Sequence, residues 1–266
     1  VPVVKINRAS DAVPLAKALC EGGLPCAEVT FRTAAAADAI RAIAKEVPEM
    51  LVGAGTVLTT EQADAAMAAG AKFLVSPGLN PAVVKHCVEK GYPITPGCAN
   101  PSDIEQALSF GLDVVKFFPA EAAGGLPMIK AMSAPYGSLK FMPTGGINAG
   151  NLNTYLDFPK ILACGGSWMV KPDMIDAGDF DGIRKLAKQA VETMLGFTLM
   201  HVGVNCADAQ EAAQTAHTFE ALFGMTAQEG AGSYFNDTCI EVMKKVGPGT
   251  HGHLAIGTNY MNRAVA

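Results

Sequence analysis

A lysine set among large apolar residues opens a particular chemistry. In the stretch Asp113-Val-Val-Lys-Phe-Phe118, strand geometry puts Val114, Lys116 and Phe118 on one face and Val115 and Phe117 on the other. Both faces are otherwise apolar, so Lys116 is buried whichever way it points. Burial disfavours the ammonium and lowers its pKa, and the neutral amine is the form that attacks a ketone to make an imine. The bland alternative is a lysine that snorkels from the strand end to solvent; four large apolar neighbours weigh against it. A second stretch, Cys26-Ala-Glu-Val-Thr-Phe-Arg32, places Glu28, Thr30 and Arg32 on one face. Ala27, Val29 and Phe31 share the other face, which suits contact with helices, so the polar set points inward. A carboxylate and a guanidinium there serve either proton transfer or a structural ion pair.

Two glycine pairs end late strands, in Pro143-Thr-Gly-Gly-Ile147 and Cys164-Gly-Gly-Ser-Trp168. Glycines let backbone N–H groups approach an anion closely, and the loops after the seventh and eighth strands of a barrel form a recurrent phosphate site. Ser167 adds a hydroxyl donor. One pair alone suits a tight turn equally well; two pairs at these positions point to phosphate. Two further loops follow strands, Gly53-Ala-Gly-Thr56 and Ser76-Pro-Gly78. Thr56 suits either a substrate carboxylate or a helix-start turn, and Pro77 either an apolar wall or a plain turn.

These residues need a scaffold, and the first 196 positions repeat one pattern of apolar strand, cap residue and alanine-rich amphipathic helix. The pattern predicts strands at 1–5, 26–31, 51–55, 72–75, 92–95, 113–118, 139–143 and 161–164. Helices are predicted at 11–22, 34–46, 60–69, 81–89, 101–110, 125–133, 149–156 and 180–195. Ser10, Thr33, Asn80 and Asn100 are placed as N-caps, Pro81 and Pro101 as first helical residues, and Thr59 with Gln62 as a capping box. Eight alternating βα units predict parallel strands and a (β/α)8 TIM barrel. An open doubly wound sheet is the alternative, but no GxGxxG follows the first strand.

After Gly196 the rhythm changes. Thr198–Cys206 alternates as a strand, 208–223 reads as a helix capped by Asp208 with Glu211, and strand-like pieces fall near 233–236, 239–244 and 253–258. This βαβββ order predicts a small α+β module over 197–266, after a barrel domain over 1–196. A net charge of −5 across 266 residues, with no Lys/Arg run, argues against a nucleic-acid partner. No apolar run is long enough to span a bilayer. The seven cysteines form no CxxC pair and read as reduced thiols of a cytoplasmic protein. Both ends read as abrupt, a strand at once and a helix only begun, so the natural chain is expected to extend further at one or both.

The barrel motifs closely resemble those of the 2-keto-3-deoxy-6-phosphogluconate / 4-hydroxy-2-oxoglutarate (KDPG/KHG) aldolases. The matching segments are Glu28-Val-Thr-Phe-Arg-Thr33, Val52-Gly-Ala-Gly-Thr-Val57, Ser76-Pro-Gly78, Val115-Lys-Phe-Phe-Pro-Ala120, Pro143-Thr-Gly-Gly146 and Gly165-Gly-Ser-Trp168. The resemblance implies Lys116 as the imine-forming lysine and Glu28 as general acid/base. It implies Arg32, Thr56, Pro77, Phe118 and Thr144 around a small keto-acid substrate, and Gly145, Gly146, Gly166 and Ser167 at its phosphate. It further implies a homotrimer and no metal or other cofactor. The helix that in this family precedes the first strand is missing. The tail resembles part of a glyoxalase/bleomycin-resistance domain, which implies His201, Glu241 and His253 as metal ligands; the plain alternative is ordinary strand residues. Rival readings are a phosphosugar epimerase without imine chemistry, and a barrel that serves as scaffold for a binding tail.

Overall fold

Short apolar runs punctuated by Asn, Pro and Gly fold into βα units through the first part of the chain. The computed structural model describes residues 1–265 and forms two units, Val1–Met194 and the residues from Leu195 onward. In the first unit the strands are β1 (Val3–Val4), β2 (Cys26–Thr30), β3 (Leu51–Gly55), β4 (Leu74–Val75), β5 (Ile94–Thr95), β6 (Val114–Phe117) and β7 (Lys140–Pro143). The helices are α1 (Ala12–Glu21), α2 (Ala36–Glu46), α3 (Thr60–Ala68), α4 (Pro81–Lys90), α5 (Pro101–Ser109), α6 (Gly125–Ser133), α7 (Leu152–Leu156), α8 (Pro172–Asp176) and α9 (Phe180–Leu195).

Strands β1 to β5 pair in parallel in chain order, and β6 pairs in parallel with β7. This is a TIM-barrel-type α/β arrangement. Isolated parallel bridges add Gly97 to Lys116, Phe141 to Ile161, Thr144 to Gly165 and Pro2 to Gly166. The strand expected at 161–164 is therefore corrected: residues 161–166 contribute separate bridges. Gly165 and Gly166 offer no side chains to stiffen a continuous strand there. The helix expected at 149–156 shortens to α7, because residues 148–151 are taken up by a side-chain-bonded turn. Asn151 Oδ1 accepts from the Asn148 N–H at 2.8 Å, and Asn148 Oδ1 from the Gly150 N–H at 2.9 Å. Helix α8 was not foreseen; Pro172 begins it.

The apolar faces meet in two clusters. One gathers Leu15, Leu19, Ile40, Ile43 and Val84 with Val29 and Val52. The other gathers Phe117, Phe141, Ile104, Ile129, Leu139 and Tyr155. Asn80 accepts from the Ala82 N–H at 3.1 Å and Asn100 from the Asp103 N–H at 3.0 Å, each ahead of a first-turn proline. Thr59 accepts from the Gln62 N–H, while Gln62 reaches back to the Leu58 N–H at 2.7 Å. Two expected caps are corrected. Ser10 sits inside a short 3-10 turn, Ala9–Asp11, and caps nothing. Thr33 donates its hydroxyl to the Ile6 carbonyl at 2.5 Å, tying the end of β2 to the end of β1, and α2 starts three residues later.

The second unit holds β8 (Thr198–Asn205), α10 (Ala209–Phe223), β9 (Ala227–Glu229), β10 (Ser233–Asn236), β11 (Ile240–Met243), β12 (Gly252–Gly257) and α11 (Met261–Ala264). Its sheet order is β12-β8-β11-β10-β9, with β8 and β11 parallel and the other pairs antiparallel. β9 is additional to the expected βαβββ pattern; its Ala-Gln-Glu sequence has too little apolar alternation to signal a strand. Asp208 caps α10 by accepting from the Gln210 and Glu211 N–H groups, both at 2.9 Å. Among the described residues, no helix is long and apolar enough to cross a membrane. Replacing Asn100 by Ala should cost about 1 kcal/mol of stability, the usual value of a side-chain N-cap. Ser10→Ala should be nearly neutral, with both compared by urea denaturation.

Candidate active site

Strands β2 and β6 deliver the two central side chains. Glu28 is 1% exposed and Lys116 is 4% exposed, because their strand neighbours Ala27, Val29, Val115 and Phe117 fill the two apolar clusters. Lys116 Nζ donates to Glu28 Oε1 at 3.3 Å. The second carboxylate oxygen, Oε2, is buried and has no partner among the described residues. Room for this carboxylate comes from β3, where a Cβ on Gly55 would lie 2.0 Å from Glu28 Oε1. Burial pushes the Lys116 pKa below the ordinary lysine value. The Glu28 carboxylate and its hydrogen bond pull it upward, and the Arg32 charge pushes it down again. Desolvation is the largest of these, so the amine is released from its proton more easily than a surface lysine.

Arg32 and Thr56 are brought together: Arg32 Nε donates to Thr56 Oγ1 at 3.2 Å. Thr56 holds a positive φ of 56°, a conformation that costs a β-branched residue energy and that clusters at functional sites. Phe118 follows β6 and stands with its ring centroid 5.6 Å from Lys116 Nζ.

Arg32 and Phe118 also line a cavity of about 300 Å³, together with Thr30, Thr144, Gly145, Gly146, Gly166 and Ser167. Lys116 and Glu28 are not part of its lining, which includes their neighbours Phe118 and Thr30. Thr144 Oγ1 is buried and has no hydrogen-bond partner among the described residues, in space that Gly165 leaves free, since a Cβ there would sit 2.3 Å from it. Gly145 and Gly146 have φ of 101° and 82°. Among the described residues, no acceptor within the chain takes the N–H of Gly145, Gly146 or Ser167. Gly166 differs: its N–H donates to the Val1 carbonyl at 3.0 Å, and its missing side chain makes room for the Trp168 indole. Pro77 lies outside this cavity, in a separate recess with Val57, Leu58 and Asn80. Lys5, at the end of β1, lines the cavity as a cation beside the glycine loops. Sequence reasoning missed it; the signal was a lone lysine ending the apolar strand Pro2-Val-Val.

The second unit carries its own cluster. His201 Nε2, His253 Nε2 and Glu241 Oε2 lie 3.1, 3.2 and 3.3 Å apart. The register explains the meeting. Glu241 on β11 and His253 on β12 both pair with Gly203 of the central strand β8, and His201 is two residues away on the same face. Gly203 leaves the space that the His253 ring occupies. Ser233 donates to Glu241 Oε1 at 2.8 Å, fixing the carboxylate. Ligands about 2.1 Å from one ion stand about 3.0 Å apart at right angles and about 3.4 Å apart tetrahedrally. The observed triangle fits one divalent ion.

Comparison with known proteins sets these sites in context. A family model described as KDPG and KHG aldolase matches residues 1–186. The 2-dehydro-3-deoxy-phosphogluconate aldolase of Treponema pallidum is 56% identical over 192 residues, covering 72% of this chain and 91% of that protein. The Zymomonas mobilis ZM4 KDPG aldolase structure with 3-phosphoglycerate is 47% identical with a TM-score of 0.66, over 71% of this chain and 88% of that one. The Legionella pneumophila KDPG aldolase structure, with pyruvate captured as a covalent carbinolamine, is 41% identical with a TM-score of 0.69. It spans 71% of this chain and 92% of that one.

The opposing influences on Lys116 yield a pH prediction. Removing the Glu28 charge removes the influence that raises the lysine pKa, so Glu28→Gln should move the Lys116 titration to lower pH. An NMR titration of the Nζ group in both proteins checks this, and a shift to higher pH would contradict the assignment of causes.

Proposed function

The chain belongs to the KDPG and KHG aldolase family, and from that premise we propose that residues 1–196 form a Schiff-base (class I) aldolase domain. Its substrate is a small phosphorylated or dicarboxylic keto acid. 2-Keto-3-deoxy-6-phosphogluconate gives pyruvate and glyceraldehyde 3-phosphate; 4-hydroxy-2-oxoglutarate gives pyruvate and glyoxylate. The observation that carries this reading is the buried Lys116 amine, its pKa lowered by burial, 3.3 Å from a carboxylate with one free oxygen. We read the isolated bridges through residues 161–166 as closing an eight-stranded barrel, and the working form as a homotrimer.

In this reading the neutral Lys116 Nζ attacks the C2 ketone to give a carbinolamine. Glu28 moves protons through a water, the C2 hydroxyl leaves as water, and a protonated imine forms. The imine takes up the electron pair when C3–C4 breaks and the C4 hydroxyl loses its proton. The aldehyde departs, Glu28 returns a proton to C3 of the enamine, and hydrolysis frees pyruvate and the amine. The imine is the electron sink, so the chemistry needs no metal. Arg32 and Thr56 hold the carboxylate, Phe118 supplies apolar wall, and the Thr144 hydroxyl meets a substrate oxygen; Pro77, in its separate recess, takes no part in that wall. Gly145, Gly146 and Ser167 present N–H groups to the phosphate with Lys5 as countercharge. Gly166 contributes space rather than a donor.

Borohydride added with pyruvate should fix one reduced pyruvyl group on Lys116, located by peptide mass mapping. Labelling elsewhere, or none, would sink the mechanism. Lys116→Arg should abolish cleavage, because arginine keeps its proton. Glu28→Gln should slow turnover by about 10²–10⁴-fold, the usual worth of a general acid/base.

For residues 197–266 we propose a partial glyoxalase-like module that binds one divalent ion through His201, Glu241 and His253. The close triangle of their ligand atoms favours this over ordinary strand roles, and the imidazole and carboxylate donors suit zinc or a neighbouring transition metal. Titration with cobalt(II), followed by its visible absorption, should show one site per chain. Loss of an outer-shell partner alone often costs 10–100-fold in affinity, so Glu241→Ala should weaken binding by at least about 100-fold. Unchanged binding in that variant would return the cluster to an ordinary structural role.

A further inference from the structure

A carboxylate stands next to the glycine loop that the proposed function gives to the substrate phosphate, and a buried tyrosine holds it. The Glu121 N–H donates to the Gly145 carbonyl at 3.0 Å, and the neighbouring Ala120 N–H donates to the Thr144 carbonyl at 2.8 Å. A Cβ on Gly146 would lie 2.5 Å from Glu121 Cγ and 2.7 Å from its Cβ. The stem of Glu121 therefore lies directly on the loop whose N–H groups border the cavity. Its carboxylate ends elsewhere: Oε1 accepts a short hydrogen bond from the Tyr155 hydroxyl. Tyr155 comes from α7 and is 2% exposed, so its ring cannot easily swing away. Burial, and after it the contact with Glu121, raise the pKa of its phenol, which stays protonated as the donor. Gly125 completes the seat, because a Cβ there would come within 3.1 Å of the Tyr155 oxygen and 3.2 Å of Glu121 Oε1.

Glu121 and Tyr155 border a recess of about 380 Å³ with Asn151 and Thr154, and neither residue lines the cavity of Gly145, Gly146 and Ser167. A negative charge beside an anion site repels the anion. Free to rotate about its stem on Gly146, the Glu121 carboxylate would be carried toward that site. The Gly146 carbonyl also accepts from the Asn148 and Asn151 side chains at 3.2 and 3.1 Å.

We propose that Tyr155 is a positioning residue that latches the Glu121 carboxylate away from the glycine loop, and so sets the affinity of the adjoining cavity for a phosphate group. The proposal deepens the phosphate assignment above and rests on it. The two residues touch no reacting atom. They bind the loop to α7 and keep a like charge out of the anion's reach.

The test uses the full chain and inorganic phosphate, titrated by ³¹P NMR. Tyr155→Phe keeps the ring in the core and removes the latch; phosphate should then bind about tenfold more weakly, the scale of one like charge at close range. Glu121→Gln added to Tyr155→Phe removes the freed charge and should restore most of the lost affinity. A merely structural tyrosine gives the opposite pattern, with the double variant no better than Tyr155→Phe alone. That result, or unchanged phosphate affinity in Tyr155→Phe, overturns the proposal. Pyruvate trapping on Lys116 in the same proteins should be unaffected. Because phosphate binding is read without turnover, failure of trapping in the unaltered chain would count against the aldolase reading and leave the latch to be judged on its own data.

Discussion

Everything in the first unit is arranged around one costly contact, an ammonium and a carboxylate taken out of water together. Removing each ion from solvent costs several kcal/mol, and their attraction offsets this only when geometry and hydrogen bonding are good. Here the geometry is incomplete: the Lys116–Glu28 distance is 3.3 Å and, among the described residues, one carboxylate oxygen has no partner. A pair held this way adds little to stability. Burial favours the neutral amine of Lys116 over its ammonium. The rigidity needed to hold such a pair comes from the apolar neighbours on the reverse faces of β2 and β6, which are buried almost completely.

Space is the second constraint, and glycines answer it in three different ways. Gly55 makes room for the Glu28 carboxylate and Gly165 for the Thr144 hydroxyl, both by lacking a Cβ. Gly145 and Gly146 provide left-handed backbone, and among the described residues no acceptor takes their N–H groups. Gly166 looks the same in sequence as its neighbours but does something else: its N–H is committed to the ladder and its missing side chain admits Trp168. Charge is then distributed around this space, with Lys5 and Arg32 facing the cavity and Glu121 held back from it.

The second unit solves a smaller version of the same problem. Its buried core is small, with Cys206, Ala212, Ala216 and Val242 at the centre, yet it positions two imidazoles and a carboxylate within a triangle of about one ion's width. The device is again a glycine in a central strand, Gly203, flanked by the paired residues Glu241 and His253. Three strands supply one side chain each, so the cluster exists only when β8 lies between β11 and β12.

Local patterns in the sequence decided which residues face which way. The period of two around Glu28 and Lys116 marks both as buried polar residues in apolar strands. The Asn-Pro pairs at 80–81 and 100–101 mark two helix starts, because cap and first-turn proline act within a few residues of each other. Those signals are short-range, and so a single chain of letters carries them. The cap assigned to Thr33 failed for the complementary reason: its hydroxyl is drawn to donate to the Ile6 carbonyl, 27 residues earlier, and no local rule records that choice. The same holds for the 88-residue separation between Lys116 and Glu28, the placement of Lys5 on the cavity, the commitment of the Gly166 N–H, and the latch between Tyr155 and Glu121. Periodicity fixes a side chain's face, but the partner it meets there is set by how distant strands pair and which atoms compete for the same space.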